Sequence, residues 1–288
     1  GLQTDVAKGN LQQLVLENFD EERWLSDGTV AACRLLLDNL QLEILRDKRY
    51  RFNSDQRPAL PQQLLKESQT PFEFDSVVAT PGFIRYSELS EQSSQPGNLD
   101  FHDLTIRAGK ISNRPAWLTT NPPFTVEASA RLMGEALLQA EFRFFPGRSD
   151  FFHQVTGKID PVELTIFNPI LENSALVSLE NGALNRFDFD LEFTAEEASG
   201  ELFFGYENLK VNILTQKPDG LKKAPVASFL ANSMLLNSKN PRGKDFEAQP
   251  ISHPRDPRRS ILNYWWKALF SGAKQVLGIK EEKPKKHP

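Results

Sequence analysis

Alternation of apolar and polar residues is the dominant pattern in this chain. Residues 187–193 alternate large apolar with acidic side chains without a break, and the pattern recurs at 126–132, at 138–144 and, less regularly, at 209–213. Successive side chains of a β-strand point to opposite faces, so each segment predicts a strand with one apolar and one polar face. In a sheet, such strands produce a long apolar face. The pattern leaves open whether a second sheet or lipid covers that face.

Strand signals separated by turn-forming residues continue along most of the chain. Residues 1–51 predict mainly strands, residues 60–66 predict a short helix that begins at Pro61, and residues 90–98 form a turn cluster. Further strands are predicted at 72–74, 83–86, 99–106, 125–132, 136–145, 151–160, 175–180, 184–193, 200–206 and 208–214. This spacing predicts a meandering antiparallel sheet.

The pattern changes after residue 214. Residues 227–236 predict a short helix, and residues 237–259 predict an extended, basic, proline-rich connector. Ser260 can cap a helix that runs to about residue 279, and the polar residues 280–288 predict a disordered tail.

The helix at 260–279 is amphipathic. One stripe of its helical wheel contains Leu262, Trp265, Trp266, Leu269, Ala273, Val276 and Leu277, and the other side contains Asn263, Lys267, Ser271, Lys274 and Gln275. Two interpretations stay open, because the stripe can dock on the sheet or can contact a membrane surface or a partner protein. In the second case the contact residues are Leu262, Trp265, Trp266, Leu269, Lys267 and Lys274.

Charge divides the chain into two parts. Residues 235–288 carry 12 Lys/Arg and 5 Asp/Glu, whereas the remainder carries 22 and 33, so a basic C-terminal segment follows an acidic body. Such a segment suits an anionic membrane surface or a protein partner. Nucleic acid is disfavoured because the acidic body would repel it. No apolar run is long enough to span a bilayer as a helix. Since the chain begins at Gly1, we expect a fragment of a longer protein, in which either a membrane anchor or an export signal can precede this chain.

Catalytic and metal-binding signals are absent. The four histidines have no metal-ligand spacing, the single cysteine excludes a disulfide framework within the chain, and no phosphate-binding or nucleophile motif occurs. The acidic residues at 188, 190 and 192 lie too far apart on a strand to converge on one ion. We therefore predict no enzyme activity, no metal and no cofactor.

A set of ordered motifs resembles the C-terminal region of AsmA-like proteins of Gram-negative envelopes. The motifs are IRYSE at 84–88, PGNL at 96–99, FNPILE at 167–172, VSLENG at 177–182, LNRFDF at 184–189, GEL at 200–202, YENLKV at 206–211, SFLAN at 228–232, NPRG at 240–243 and NYWWKALFSG at 263–272. The resemblance covers about residues 75–279, and it is the order of the motifs that is specific.

The resemblance implies a fold and a function. AsmA-like proteins are anchored in the inner membrane, reach through the periplasm and have a β-rich body with an apolar groove, and they are implicated in phospholipid transport towards the outer membrane and in its integrity. We accordingly expect a mainly β fold, an elongated antiparallel β-sheet groove with a short helix and a C-terminal amphipathic helix. The predicted parts are an N-terminal β segment (1–74), the groove (75–236), the connector (237–259), the helix (260–279) and the tail (280–288).

The expected function is non-enzymatic binding of phospholipid and its transport between the two membranes. The predicted lipid-binding residues are Val126, Ala128, Leu138, Phe142, Phe144, Phe187, Phe189, Leu191 and Phe193. The alternative is a β-sandwich scaffold that recruits an envelope protein through its C-terminal helix.

Overall fold

The fold is mainly β. A computed structural model describes residues 1–120, 123–218, 220–224, 237–241 and 246–279. Its strands are β1 (Leu2–Gln3), β2 (Asp5–Glu17), β3 (Val30–Asp47), β4 (Arg51–Phe52), β5 (Phe72–Leu89), β6 (Gly97–Ala108), β7 (Ile111–Ser112), β8 (Phe124–Leu132), β9 (Ala136–Phe144), β10 (His153–Ile159), β11 (Val162–Glu163), β12 (Val177–Phe193), β13 (Glu197–Lys217), β14 (Gly220–Lys223) and β15 (Gln249–Pro254). Its helices are α1 (Glu21–Asp27), α2 (Pro61–Glu67), α3 (Pro115–Thr120), a 3₁₀ turn (Leu164–Phe167), α4 (Asn168–Ala175) and α5 (Ile261–Leu277).

One large sheet contains nearly all of these strands. Its order is β14-β13-β12-β10-β9-β8-β6-β5-β3-β2, with β7, β11 and β15 paired at the sides of β5, β12 and β13. Neighbours in this sheet are antiparallel except β3 and β5, which are parallel. The sheet is curled and open, so the predicted β-groove is confirmed.

Several predicted strands are joined into longer ones. The signals at 72–74 and 83–86 belong to β5, those at 175–180 and 184–193 to β12, and those at 200–206 and 208–214 to β13. Register shifts within the β5–β6 and β12–β13 ladders explain the error. A β-bulge interrupts the apolar–polar alternation without ending the strand. The predicted boundary between residues 74 and 75 falls inside β5.

Helices cover parts of the sheet's apolar face. Leu65 of α2 and Trp117 of α3 pack on Phe124 and Phe144, which lie at one end of β8 and β9. Along the C-terminal strands, α5 contributes Tyr264, Ala268 and Ala273 to a core that includes Phe193, Leu202 and Ile251. Among the described residues no second large sheet covers this face, so the β-sandwich architecture is wrong for this part of the chain.

The segment just before α5 contacts the connection between β3 and β5. The guanidinium of Arg259, just before α5, lies 3.7 Å from the ring centroid of Phe52, and Gln56 donates a hydrogen bond of 2.9 Å to the carbonyl of Arg258. Residues 52 and 56 belong to the connection between β3 and β5, which passes over the apolar face because it contains α2. The segments that carry α2 and α5 therefore meet over the apolar face, which lies on the inside of the curl.

The predicted helices that fall in the described residues are confirmed. Pro61 begins α2, and the Ser260 side chain caps α5 by accepting a hydrogen bond from the amide of Asn263. In the described part of the predicted connector, residues Gln249–Pro254 form β15, which adds a strand to the sheet beside β13. The helix predicted at 227–236 and the tail predicted at 280–288 both lie outside the described residues.

Candidate functional site: the apolar floor of the curled sheet

Two rows of directly paired residues cross the sheet and are apolar throughout. The first row runs through ten strands as Leu16, Leu35, Val77, Ala108, Val126, Phe142, Val155, Leu191, Gly200 and Ile251. The second runs through nine strands as Leu14, Leu37, Ala79, Ile106, Ala128, Ala140, Gly157, Phe189 and Leu202. Paired residues of adjacent strands share a face, so the two rows form one apolar surface, the apolar floor.

Backbone irregularities at one level of the sheet keep apolar side chains on the floor further along the strands. Asn39 in β3 and Asp103 in β6 have left-handed φ values of 52° and 51°. At the same level, the ladders of β5 with β6 and of β6 with β8 change register. As a result Phe101 and Ile106, five residues apart, pair with Leu132 and Ala128 on one face of the regular strand β8. Past these register shifts the floor therefore continues in two further rows. The first contains Leu11, Leu40 and Leu104, and the second contains Leu42, Ile84 and Phe101.

The opposite face of the same strands is charged. The row between the two apolar rows reads, from β6 to β13, Arg107, Glu127, Glu141, Thr156, Asp190 and Glu201. A shallow depression of about 620 Å³ lies on this face, where Arg107, Glu127, Glu141, Thr156 and Asp190 of the row line it together with other residues of these strands. Charged side chains alternate across this face, whereas the apolar floor has none, so the apolar floor is the candidate site for acyl chains.

Burial divides the floor into a covered and an open part. Beneath α5, Leu191 and Phe193 are 1% and 0% exposed. The ring of Phe189 lies so close to Gly157 that a Cβ there would be 2.5 Å from its Cζ. From β2 to β9 most floor side chains are half-buried, and Leu14 at the sheet edge is 56% exposed. The open part of the floor therefore lies on the N-terminal strands.

His153 connects the covered part of the floor to α5. Its ring lies between Phe144 and Phe193, with centroid distances of 5.5 and 5.0 Å. Its Nδ1 is 3.1 Å from the carbonyl of Phe151, and its Nε2 accepts a hydrogen bond of 3.0 Å from the indole of Trp265. Burial lowers the pKa of His153 to about 4, the hydrogen bond to Phe151 opposes this change, and the charge of Arg255 adds to it. The histidine is therefore neutral at pH 7, donating from Nδ1 and accepting at Nε2.

The outward side of α5 is partly apolar. Leu262 and Trp266 are each 56% exposed, and the Trp266 ring stacks on Phe270 at a centroid distance of 5.5 Å. The ammonium groups of Lys267 and Lys274 lie 5.9 and 5.6 Å from the Phe270 ring. This combination is typical of a helix that contacts the interface of a membrane.

The structure assigns the predicted site residues to different environments. Of the nine predicted floor residues, those that are buried core are Phe144, Phe189, Leu191 and Phe193, and those that are half-buried are Val126, Ala128, Leu138, Phe142 and Phe187. On α5 the predicted polar side is wrong at Ser271, which is buried and donates a hydrogen bond to the carbonyl of Ala268. Trp265 packs on Phe142 with a centroid distance of 4.7 Å, and Leu269 packs against the same core.

The predicted floor residues include members of the open part on β8 and β9 but none on β2, β3 and β5. The floor residues missed there, such as Leu35, Leu37 and Val77, lie in runs of consecutive apolar residues. In addition, the irregular conformation at Asn39 shifts the apolar–polar alternation between Leu37 and Leu40. A clean two-residue period therefore does not occur there. One sequence signal could have indicated this shift. Leu37 and Leu40 are spaced by three residues around Asn39, and asparagine tolerates the left-handed conformation that Asn39 adopts.

Searches for metal sites and membrane spans in the described residues found neither. No group of three or more histidine, cysteine, aspartate and glutamate side chains could hold a metal ion in this part of the chain. No described helix is long and apolar enough to cross a bilayer. Comparisons with protein-family models, with curated proteins and with solved structures found no match.

Proposed function

We propose that this protein binds phospholipid by its acyl chains on the apolar floor and carries it between the inner and outer membranes without catalysis. The observation that carries the proposal is the continuous apolar floor, whose N-terminal part is partly exposed inside the curl. A contiguous apolar surface that stays partly exposed in a folded protein is typical of a binding site.

The dimensions of the open floor suit an acyl chain. From β2 to β9 the row crosses six strands, and five spacings of about 4.8 Å give a path of about 24 Å. Half of a bilayer's hydrocarbon core is about 15 Å thick, so the path is longer than a chain in one leaflet. Each buried methylene contributes about 0.8 kcal/mol. Because the row has no polar member, a lipid can slide along it with little change in free energy.

The location in the envelope is the part of the proposal that depends on the resemblance to AsmA-like proteins. On that basis we place the protein in the periplasm, where it supports the integrity of the outer membrane, with an inner-membrane anchor outside this chain. The outward side of α5 would then contact a membrane surface or an envelope protein.

A pair of substitutions on one strand tests the proposal. Ala128 lies in the middle of the floor and Ser129 is its neighbour on the opposite, polar face of β8; both side chains are half-buried. Ala128→Asp puts a carboxylate where acyl chains would lie, whereas Ser129→Asp adds the same charge to the same strand facing solvent. The measurement is native mass spectrometry of the purified protein, with extraction and identification of bound lipid.

We expect the wild type and Ser129→Asp to retain phospholipid and Ala128→Asp to lose most of it. Circular dichroism must show that both variants remain folded. Lipid-free wild-type protein, or equal lipid content in the two variants, would contradict the proposal.

A second function is favoured by the exposed Leu262 and Trp266 on α5, which also suit a protein partner. In that case the protein is a scaffold, and the curled sheet presents α5 to an envelope protein.

A further inference from the structure

Two arginine-rich segments of the chain meet at the surface of the molecule. Residues 49–57, in the connection between β3 and β5, and residues 255–259, just before α5, together carry six arginines and two aspartates. The guanidinium groups of Arg259 and Arg258 lie 3.7 and 5.7 Å from the ring centroid of Phe52. Segments that are far apart in the sequence therefore join their positive charge at the place where the coverings of the floor meet.

The carboxylates in this place are too few to neutralise the arginines. Asp256 accepts two hydrogen bonds from Arg258, at 2.8 and 3.0 Å, and the same carboxylate lies 3.9 Å from Nε of Arg259. Arg57 donates its hydrogen bonds to backbone carbonyls. Within the part of the chain that the structure describes, no carboxylate lies within salt-bridge distance of Arg51 or Arg57, and both side chains are exposed. Together the four arginines form one surface, the arginine surface, with positive charge available to an external anion.

Exposed apolar side chains flank the arginine surface. Tyr50 precedes Arg51 in the chain, and Leu2 pairs with Arg51 across β1 and β4; both apolar side chains are exposed. Leu262 and Trp266 follow on the first turns of α5 and are exposed as well. Aromatic and aliphatic side chains beside basic ones are typical of a surface that lies in a membrane interface, where the rings reach the headgroup level and the cations meet phosphates.

We propose that the arginine surface docks the protein on an anionic membrane by binding the phosphate groups of lipid headgroups. The inference rests on the proposed function and adds the place where the lipid carrier touches the bilayer. A guanidinium group can donate two parallel hydrogen bonds to a phosphate, which an ammonium group cannot do. Because the chain as a whole has a net charge of −4, an anionic membrane repels the rest of the molecule and attracts it by this surface.

The end of the floor adjoins the arginine surface. Ala7, Ile44 and Tyr86 form the last mainly apolar row of the floor across β2, β3 and β5. Strand β3 ends three residues after Ile44, at Asp47, and β4 begins at Arg51. Docking through the arginine surface therefore brings this end of the floor to the bilayer, where a lipid can pass from one to the other.

The test measures binding of the full chain to vesicles by sedimentation. One set of vesicles contains phosphatidylcholine alone, and the other also contains anionic phosphatidylglycerol. The variant is Arg51→Gln with Arg57→Gln, in which glutamine keeps a donor for the carbonyls that Arg57 contacts. Its matched control is Arg107→Gln with Arg143→Gln, which removes the same charge from two exposed arginines on the polar face of β6 and β9. Circular dichroism checks that both variants are folded.

The wild type should bind the anionic vesicles more tightly than the neutral ones, and high salt should weaken this binding. The Arg51/Arg57 variant should bind the anionic vesicles about thirtyfold more weakly than the wild type, because two basic residues near the anionic surface are lost. The control should bind nearly as the wild type does. Equal binding by the variant and the control, or a wild type that binds neither kind of vesicle, would overturn the docking surface.

Phospholipid that stays bound to the purified proteins, measured by native mass spectrometry, separates this inference from the proposed function. Lipid in all three proteins, with weak vesicle binding by the Arg51/Arg57 variant alone, would support both. Lipid in all three proteins, with equal vesicle binding, would overturn the docking surface and leave the floor as the lipid site. Lipid-free wild-type protein whose vesicle binding still depends on the arginines would reject the proposed function, whereas the docking surface would stand.

Discussion

His153 shows how one buried polar side chain fixes the position of a helix on the floor. The ring is fully buried. Its Nδ1 donates a hydrogen bond to the carbonyl of Phe151, and its Nε2 accepts one from the indole of Trp265. Protonation would put a hydrogen on both nitrogens, so Nε2 would face the Trp265 N–H as a second donor. The neutral form is therefore part of the folded state.

This arrangement predicts that the free energy of unfolding depends on pH between about 4 and 6.5. The folded pKa of His153 is about 4 and its ordinary value is 6.5, so the unfolded chain binds more protons in this window. Stability should be fully present above pH 6.5 and should fall by about 3 kcal/mol as the pH decreases towards 4. Urea unfolding at several pH values, followed by tryptophan fluorescence, measures the slope.

The variant His153→Gln removes the titration and can still accept a hydrogen bond from Trp265. Its slope over the same window should be smaller than that of the wild type, whatever its stability at pH 7. His102→Gln, on the partly exposed surface of β6, is the control and should behave as the wild type. A wild-type slope in His153→Gln would show that other groups cause the pH dependence.

At the scale of elements, the sequence predicted strands well and their length poorly. Strands β8 and β9 were found nearly residue for residue, because an uninterrupted alternation specifies both the strand and its buried face. The long strands β5, β12 and β13 were each divided in two, because bulges reverse the alternation in mid-strand. The short helices α1, α3 and α4 were missed, since six to eight residues give too few turns for a helical period.

The position of α5 on the sheet depends on Gly272. A Cβ at this position would lie 2.8 Å from Cγ1 of Ile251 and 3.2 Å from Cδ2 of Leu202, so the helix backbone approaches β13 and β15 closely. Gly272→Val should push α5 away from the sheet and lower the free energy of unfolding by about 1–3 kcal/mol. Gln275→Val, on the exposed side of the same helix, should change it by less than about 0.5 kcal/mol. Urea denaturation of both variants measures the difference, and equal effects would contradict this account of the packing.

At the scale of the whole molecule, the curl decides which apolar residues are available to a ligand. The alternation identified a long apolar face, but it could not show which part α5 would cover. That is why the clearest ribbon, at 187–193, supplies mainly core residues, and the less regular N-terminal strands supply the open floor. Likewise the helical wheel predicted that α5 is amphipathic, but it could not predict how the helix is oriented on the sheet. That orientation depends on contacts with strands distant in sequence, such as the contact of Tyr264 with Phe193 on β12.

Because α5 is part of the core, its outward side must be tested by surface substitutions and not by deletion. Leu262→Ser with Trp266→Ser removes two exposed apolar side chains, and Leu25→Ser with Leu64→Ser removes two others, which are 83% and 60% exposed on α1 and α2. If this side contacts a membrane, the first pair should weaken binding to vesicles that contain anionic phosphatidylglycerol, measured by sedimentation, by about a hundredfold or more, because each lost side chain contributes about 1.5–3 kcal/mol when fully buried. The second pair should reduce it little.

The composition of the vesicles and the salt concentration separate a membrane contact from a protein contact. Lys267 and Lys274 flank the exposed aromatic rings, and each basic residue near an anionic surface contributes about 1 kcal/mol. Binding should therefore weaken in neutral phosphatidylcholine vesicles and at high salt, where the surface charge is screened. Equal sedimentation of the two double variants would exclude this side of α5 as the membrane contact. The exposed Trp266 would then be tested against an envelope protein, as the scaffold function requires.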